Sequence, residues 1–450
     1  MSSFIKCIIG RIIWVFLFIV VYNLPAISQD HEAAEQLVKK GDSKIRDKRY
    51  KAAIKMYSLA TKKDPSFALA YEKRAEAYQA LKKYSLAIKD YTKAIDLNHN
   101  LAAAYRGRAL TEILMEDYKD AIDDYTEAIR LHPKDTFSFY NRAVSKYRIS
   151  DYRSALMDIN TALKLNPFRP EFNYYRGLIR VALKDVKKSL KDYNKALRLN
   201  PRYAAAYHHR GLAKNLLNYD GALTDYSKAI RYNEVYHEAL FSRGKYFVQE
   251  GKNNKAIEDF TKAIKIYNKD EHYFAQRALA HEQNKDLKSA LKDLDKAVAL
   301  DGRNLGFYFR RAKIKGLLKD FEGAIKDIQF IIDEQPNNHE AYIQRGTIKE
   351  IKLDYNGALA DFDKALSLNP KDPEIYNHRG VIKYKSRNYE GALVDFDKAI
   401  AIDPLNNKAF YNKGMTLLYM GKKDEACKTL RKAGEYGHPK AYKIARKYCS

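Results

Sequence analysis

At two places, the sequence has closely spaced histidines and carboxylates of the kind that bind metal ions. Residues 31–35 read His-Glu-Ala-Ala-Glu, which resembles the start of a zinc-binding helix, but a glutamate stands where the second histidine is needed. His208 and His209 are adjacent, and neighbouring residues on a helix point to different sides. We therefore expect no metal site and no cofactor.

Pairs of carboxylates, which could act as general acid and base, are abundant in the chain. They recur at a fixed interval, whereas a catalytic pair should be singular. Neither a G-x-G-x-x-G segment nor a P-loop is present to hold phosphates. These patterns predict that the protein is not an enzyme.

An arginine and an aspartate recur together ten times. The pairs are Arg74 and Asp90, Arg108 and Asp124, Arg142 and Asp158, Arg176 and Asp192, Arg210 and Asp225, Arg243 and Asp259, Arg277 and Asp293, Arg311 and Asp327, Arg345 and Asp361, Arg379 and Asp395. The end units have neither residue, with Lys40 and Met56 in the first and Lys413 and Thr429 in the last. Because the arginine and the aspartate are either both present or both absent in a unit, we expect them to pair, within one unit or across to the next. A partly desolvated pair of this kind fixes register, so we predict a structural role.

The elements that carry these charges are marked by a glycine or alanine in one register. Successive members are 34 residues apart ten times and 33 apart once, which defines twelve units. These first small residues are Gly41, Ala75, Ala109, Ala143, Gly177, Gly211, Gly244, Ala278, Ala312, Gly346, Gly380 and Gly414.

Each unit has the pattern of two helices. About twelve residues after the first small residue comes a second, such as Ala53, and seven further on a third, such as Ala60, with the large Tyr57 between them. Small, large and small residues at i, i+4 and i+7 lie on one face of an α-helix. An aromatic four residues before the first small residue marks another helix, and proline closes seven units.

With these small and aromatic positions, the sequence resembles the tetratricopeptide repeat family over about residues 34–437. The resemblance implies an all-α fold, a right-handed superhelical solenoid of antiparallel helix pairs. It also implies that the first helix of each unit lines a concave groove, and that the groove or another exposed face binds peptides or protein domains. The lysine and asparagine with which some members clamp a terminal carboxylate do not occur together in any unit.

The groove positions implied by the resemblance form an apolar, aromatic stripe in the third to seventh units. Exposed stripes of this kind mark interaction sites, and aromatic anchors dominate binding energy. The alternative is that these side chains only pack one unit against the next. The predicted partner-binding residues are Tyr140, Tyr147, Tyr174, Leu178, His208 and Phe241.

Residues 1–28 have the three parts of a secretory signal peptide. Lys6 and Arg11 supply positive charge, residues 12–21 are apolar, and Ala26-Ile27-Ser28 suits cleavage after Ser28. We expect export to the periplasm or the extracellular space, or a membrane anchor if the segment is not cleaved. The predicted organisation is then a linker at 29–33, repeats at 34–437 and a capping helix at 438–450.

Cys427 and Cys449 are the cysteines that remain after signal removal. Gly434 and Gly437 should end the helix that carries Cys427, and Pro439 suits the first turn of a new one. The midpoint of the two cysteines falls in this turn, so they should lie level on antiparallel helices. An exported protein keeps such a bond, and we predict a disulfide.

Composition leaves two kinds of partner open. The chain has 82 Lys and Arg against 56 Asp and Glu, a formal charge of +26. The first hypothesis is a scaffold or adaptor that binds a peptide or protein partner. The alternative is a binder of a polyanion, nucleic acid or acidic glycan, which the scattered lysines favour less because no tight basic run occurs. Salt separates the two, since counterion release weakens polyanion binding steeply.

Overall fold

The structure is a computed structural model that describes residues 29–449. Its regular elements are 25 α-helices in tandem with no strand among the described residues, so the all-helical prediction is confirmed. The chain divides into two compact units, an N-terminal unit that ends at Asn233 and a C-terminal unit that begins at Glu234. Within the described part, no helix has the length and hydropathy that crossing a membrane requires.

The N-terminal unit contains six helix pairs, which we number repeats 1–6. Its helices are α1 (29–46), α2 (Tyr50–Lys63), α3 (Ala68–Ala80), α4 (Tyr84–Leu97), α5 (Ala102–Leu114), α6 (Tyr118–Leu131), α7 (Thr136–Arg148), α8 (Tyr152–Leu165), α9 (Pro170–Ala182), α10 (Val186–Leu199), α11 (Ala204–Leu216) and α12 (Ala222–Tyr232).

The C-terminal unit contains repeats 7–12 and one further helix. Its helices are α13 (His237–Gln249), α14 (Asn253–Ile266), α15 (Glu271–Gln283), α16 (Leu287–Leu300), α17 (Leu305–Leu317), α18 (Phe321–Glu334), α19 (His339–Ile351), α20 (Tyr355–Leu368), α21 (Pro373–Lys385), α22 (Tyr389–Ile402), α23 (Asn407–Tyr419), α24 (Lys423–Glu435) and α25 (Ala441–Tyr448).

The two helices of a repeat run antiparallel. In repeat 9, Arg311 of α17 pairs with Asp327 of α18, and one turn nearer the loop Lys315 Nζ donates to the Gly323 carbonyl at 3.4 Å. Both contacts are equidistant from Lys319, which has a positive φ of 66° and ends the first helix. Short loops of this kind hold consecutive helices together as a hairpin.

The small residues lie where the two helices of a repeat approach each other. A Cβ added at Gly244 would meet Cε1 of Phe260 at 2.5 Å, so a side chain there would displace the buried ring. Phe260 and the corresponding Tyr57 have no exposed surface. The regular spacing of small and large residues therefore builds the core of each repeat, as the pattern predicts.

The first helix begins earlier than the sequence suggests. Residues 29–33, predicted as a linker, are helical. Asp30 accepts from Lys63 Nζ at 3.1 Å, and His31 bonds Asp64 at 2.6 Å and packs edge-on against Phe67. These contacts with the end of α2 hold the start of α1, which explains why the linker prediction is wrong. Residues 1–28, with the predicted signal peptide, lie outside the described residues.

The last helix covers the end of repeat 12. Ala441 and Ala445 of α25 are buried, and the sulfurs of Cys427 and Cys449 form the predicted disulfide, with their Cα atoms 5.7 Å apart. The helix starts at Ala441 rather than at Pro439. His438 N instead donates to the Ala433 carbonyl and continues the turn that ends α24, so Pro439 lies in the loop.

Candidate functional site

The arginine and aspartate of one repeat form a two-bond ion pair between its helices. In repeat 4, Arg142 Nε donates to Asp158 Oδ2 at 2.8 Å and Nη2 donates to Oδ1 at 2.7 Å. Both side chains are largely buried, with 14% and 8% exposure. Paired bonds of this type are strong and fix the relative position of the two helices.

All ten pairs join residues of the same repeat, and we call them the ladder. The predicted structural residues Arg142, Asp158, Arg176 and Asp192 belong to it, and the alternative of pairing with the next repeat is wrong. The pairs are Arg74–Asp90, Arg108–Asp124, Arg142–Asp158, Arg176–Asp192, Arg210–Asp225, Arg243–Asp259, Arg277–Asp293, Arg311–Asp327, Arg345–Asp361 and Arg379–Asp395.

The remaining guanidinium nitrogen reaches the preceding repeat. Arg142 Nη1 donates to Thr126 Oγ1 on α6 at 2.9 Å, and Arg176 Nη1 donates to Asn160 Oδ1 on α8 at 3.1 Å. Each ladder arginine of this kind therefore joins three helices from two repeats. The ladder belongs to the scaffold, and its charges are already satisfied by the chain.

A second basic side chain contacts the ladder aspartate in most repeats, although it was not predicted from the sequence. Lys146 Nζ lies 2.8 Å from Asp158 Oδ2, and Arg180 Nη1 lies 2.6 Å from Asp192 Oδ2. The signal was available, because a basic residue recurs three places after the first small residue. It recurs as Lys146, Arg180, Lys214, His281, Lys315, Lys349 and Lys383.

Repeat 3 breaks this rule with an acid. Glu112 occupies the place of the second cation, is 7% exposed, and lies beside Asp124. Its Oε1 is 3.9 Å from Arg108 Nε, and its Oε2 has no hydrogen-bond partner. Burial first, and the charge of Asp124 second, raise the pKa of Glu112 to about 8.

The first helices of successive repeats lie side by side in the N-terminal unit. Helix α3 contacts α5, α5 contacts α7, α7 contacts α9, and α9 contacts α11. We call the surface that they form the first-helix face. It carries exposed apolar residues one turn apart on the same helix, Leu110 and Leu114 on α5 and Leu212 and Leu216 on α11.

Four of the six predicted partner-binding residues are half-buried, and the three aromatic ones among them pack against other rings. Tyr140 stacks on Phe172 with ring centroids 4.9 Å apart, and Tyr147 lies 5.6 Å from Tyr152. Leu178 lines a small pocket on the first-helix face.

In the C-terminal unit, Phe241 stacks on Tyr273 at 4.4 Å and is half-buried. Its ring also lies 5.6 Å from that of Phe260, at a tilt of 51°. Phe241 therefore bridges α13, α14 and α15, and most of its ring is used for packing between repeats 7 and 8.

The other two predicted residues are buried. Tyr174 contacts the rings of Tyr175, Tyr203 and His209 and is 8% exposed. His208 is 5% exposed, and burial, with the neighbouring His209, lowers its pKa to about 3. The prediction that these two side chains present an exposed stripe is wrong, because Tyr174 packs against rings of the next repeat and His208 lies against Tyr226 of its own repeat. For Tyr174 the alternative, packing of unit against unit, describes the structure.

The first-helix face has a pocket centred on repeat 3, with a volume of about 430 Å³. We call it the repeat-3 pocket. It is lined by Glu76, Gln79, Tyr91, Ala103, Arg106, Gly107, Leu110, Tyr125, Phe137, Ser138 and Asn141. The hydroxyls of Tyr91 and Tyr125 are both buried; that of Tyr91 has no hydrogen-bond partner among the described residues, and that of Tyr125 lies near the side chain of Asn141. Burial raises the pKa of both tyrosines, so both hydroxyls stay protonated.

A second pocket on the same face is smaller and mostly apolar. Its volume is about 220 Å³, and we call it the repeat-5 pocket. It is lined by Tyr147, Leu178, Val181, Ala182, Tyr193, His209, Leu212, Ala213 and Leu216. Across the described residues, no cluster of three or more His, Cys, Asp and Glu side chains is arranged to hold a metal ion.

Family models for the tetratricopeptide repeat match more than half of the chain. The matched residues are 38–100, 73–136, 177–215, 212–271, 354–387, 373–406 and 408–435. No curated protein matches the sequence.

Solved structures of similar architecture have low sequence identity to this chain. YrrB, described as a TPR protein with an unusual peptide-binding site, is 22% identical over 42% of this chain and 97% of its own, with a TM-score of 0.37. Yeast Tom70 is 18% identical over 93% and 96%, with a TM-score of 0.40. The APC/C hetero-tetramer Cut9–Hcn1 is 12% identical over 93% and 96%, with a TM-score of 0.44.

Proposed function

The chain belongs to the tetratricopeptide repeat family, and on that premise we propose that it is an interaction scaffold whose first-helix face binds an extended segment of a partner protein. The observation that carries the proposal is the pair of pockets on that face, together with the exposed leucines beside them. Contiguous apolar surface next to pockets is typical of sites that bind peptides.

The second helices give a useful contrast, because their exposed apolar residues line neither pocket. Met157 and Leu165 on α8 are 71% and 39% exposed, close to the 39% and 64% of Leu212 and Leu216 on α11. The last two line the repeat-5 pocket. Two double variants can therefore remove equal apolar surface from different faces.

The test is a selection of random peptides displayed on phage against the protein, followed by measurement of Kd for the enriched peptides. We expect Leu212→Lys with Leu216→Lys to weaken binding at least about tenfold, because buried apolar contacts become unpaired charges. The matched variant, Met157→Lys with Leu165→Lys, should bind within about twofold of the unchanged protein.

Two results would contradict the proposal. One is the enrichment of no peptide by the folded protein, and the other is equal binding by both double variants. Binding that falls linearly with the logarithm of salt concentration, and that needs acidic peptides, would favour the polyanion hypothesis instead.

We also propose that the protein is exported. The basic and apolar segments within residues 1–28 support this proposal, as does the disulfide between Cys427 and Cys449, since such bonds persist in oxidising compartments. A reporter enzyme that is active only outside the cytoplasm, fused after Asp30, should be active. Replacing Val15 and Leu17 by Arg should abolish the reporter activity. Reporter activity that these substitutions leave unchanged would contradict export by this segment.

A further inference from the structure

The repeat-3 pocket contains polar atoms that the fold does not use. Tyr91 and Tyr125 are each 1% exposed; the Tyr91 hydroxyl has no hydrogen-bond partner among the described residues, and the Tyr125 hydroxyl has only the side chain of Asn141 beside it. A buried hydroxyl without a partner loses its bonds to water and gains none, which destabilises the folded chain. Such groups call for an explanation in the pocket that they line.

Packing alone does not explain these hydroxyls. The same place on the second helix is Phe260, Phe362 or Phe396 in three other repeats, and an aliphatic residue in four more. The ring is therefore enough to fill the core. In repeat 1, Tyr57 does carry a hydroxyl, and it donates to Asp42 Oδ1 at 2.7 Å. Tyr91, Tyr125 and Tyr193 have the hydroxyl without such a carboxylate acceptor, and each of the three lines one of the two pockets.

Gly107 leaves the hydroxyl of Tyr91 close to the pocket. The atom would lie 2.6 Å from a Cβ at this position, so any side chain would displace the tyrosine. In the other eleven repeats the residue two places before the first small residue has a side chain. Repeat 3 therefore differs from the other repeats at this position, where the missing side chain leaves space for the pocket.

Opposite charges stand on the two sides of the pocket. On the α3 side, Glu76 is bound by Lys73 at 3.1 Å and its charge acts on Tyr91. Towards α7, Arg106 is bound to Asp135 at 3.1 Å. Both charges are paired, so a charged ligand would have no free counter-ion.

The far side also contains Asn141, whose side chain interacts with the Tyr125 hydroxyl by a hydrogen bond that lowers the pKa of Tyr125 against the larger effect of burial. A neutral group with a donor end and an acceptor end matches this arrangement. Its N–H groups would face Tyr91 and Glu76, and its oxygen would face Tyr125 and Asn141. A primary carboxamide has both ends in one plane.

We propose that the repeat-3 pocket binds the carboxamide of an asparagine or glutamine side chain in the peptide that lies on the first-helix face. This proposal rests on the proposed function, since it names the side chain that one part of that face selects. Each tyrosine hydroxyl donates to or accepts from the carboxamide, so the buried polar atoms of both partners are satisfied together.

The test uses the same phage-displayed random peptides on three proteins, the unchanged chain, Tyr91→Phe with Tyr125→Phe, and the matched variant Tyr57→Phe. The unchanged chain and Tyr57→Phe should both enrich peptides with Asn or Gln at one fixed position. The double variant should still enrich peptides but lose this preference. For one enriched peptide, replacing the carboxamide residue by Leu should weaken binding about tenfold to the unchanged chain and little to the double variant.

The outcomes separate the two proposals. Peptides enriched without an Asn or Gln preference, or with a preference for Lys, Arg, Asp or Glu, would overturn the carboxamide pocket and leave the scaffold standing. Enrichment of none by the unchanged chain would overturn both. A preference kept by the double variant would also overturn the pocket. Thermal melting of each variant confirms that it is folded, and phenylalanine at the same place in other repeats indicates that it will be.

Discussion

The ladder and the repeat-3 pocket treat buried polar groups in opposite ways. In the ladder, Arg142 and Asp158 satisfy each other with two bonds, and Thr126 and Lys146 take up the remaining atoms. In the pocket, the hydroxyl of Tyr91 has no hydrogen-bond partner among the described residues. The ladder pair recurs in ten repeats, whereas the place of Tyr91 holds tyrosine in five repeats and phenylalanine or an aliphatic residue in the other seven. We infer that the polar residues shared by the repeats hold the scaffold together, whereas polar groups that vary between repeats are where a ligand can act.

Removing a ladder aspartate should have the largest effect. Asp192 is 2% exposed and receives both Arg176 and Arg180, so Asp192→Ala leaves two largely buried cations without a counter-charge. We expect a loss of about 3 kcal/mol or more in the free energy of unfolding. Urea titration at neutral pH measures it.

The matched control for this variant is an exposed pair of similar length. Asp185 lies 2.8 Å from Lys188 on the surface of the same repeat. Asp185→Ala should lose much less stability than Asp192→Ala, because solvent screens exposed pairs. Equal losses in the two variants would show that burial of the ladder carries no special weight.

The disulfide should have the next largest effect, at the place where the ladder stops. Repeat 12 has Lys413 and Thr429 in place of the ladder pair, and the bond between Cys427 and Cys449 ties its second helix to α25. Cys427→Ser with Cys449→Ser should cost about 3 kcal/mol, because the bond closes a loop in the unfolded chain. Calorimetric melting of the oxidised, reduced and doubly substituted proteins tests this. If the double variant melted at the same temperature as the oxidised protein, the disulfide would not contribute to stability.

Glu112 offers a test within the ladder itself, because it stands where most repeats have a second basic side chain. Its pKa is raised from 4.5 to about 8, so the folded state favours the neutral acid. The stability associated with this group is fully present below pH 4.5, falls as pH rises towards 8, and changes little above that. Glu112→Gln should remove this dependence and be the more stable protein at pH 8 by on the order of 2 kcal/mol.

Urea titrations of Glu112→Gln and the unchanged chain at pH 5 and pH 8 measure this difference. The gap in free energy of unfolding should grow with pH. Lys146→Gln in repeat 4 is the control, since it removes the cation that stands where Glu112 does and should destabilise at both pH values. A gap for Glu112→Gln that is the same at both pH values would contradict the raised pKa.

The repeat register, the ladder residues and the two cysteines could be predicted from the sequence because each depends on spacing along one chain. The 16-residue interval between Arg142 and Asp158 already places them level on antiparallel helices. The burial of Tyr174 could not be predicted in this way, since it depends on how closely the next repeat packs. The sequence pattern of one repeat does not give the distance between neighbouring repeats.

The repeat-3 pocket was missed for a related reason. Arg106 and Leu110 line the pocket from the first helix of repeat 3, but in the sequence Gly107 beside them looks like one more helix residue. The role of Gly107 depends on Tyr91 of the preceding helix, whose ring lies against this glycine only in the folded chain. The second cation of the ladder was different, because Lys146 and its equivalents recur visibly and comparison of the repeats would have found them.

The most direct test of the central claim is the stability of two single variants that make the same chemical change, Tyr57→Phe and Tyr91→Phe. Tyr57 donates to Asp42, so its loss should lower the free energy of unfolding by about 1 kcal/mol. Tyr91 has no partner, so Tyr91→Phe should leave stability unchanged or raise it. If Tyr91→Phe loses as much stability as Tyr57→Phe in the same urea titration, its hydroxyl serves the fold, and the contrast between ladder and pocket fails.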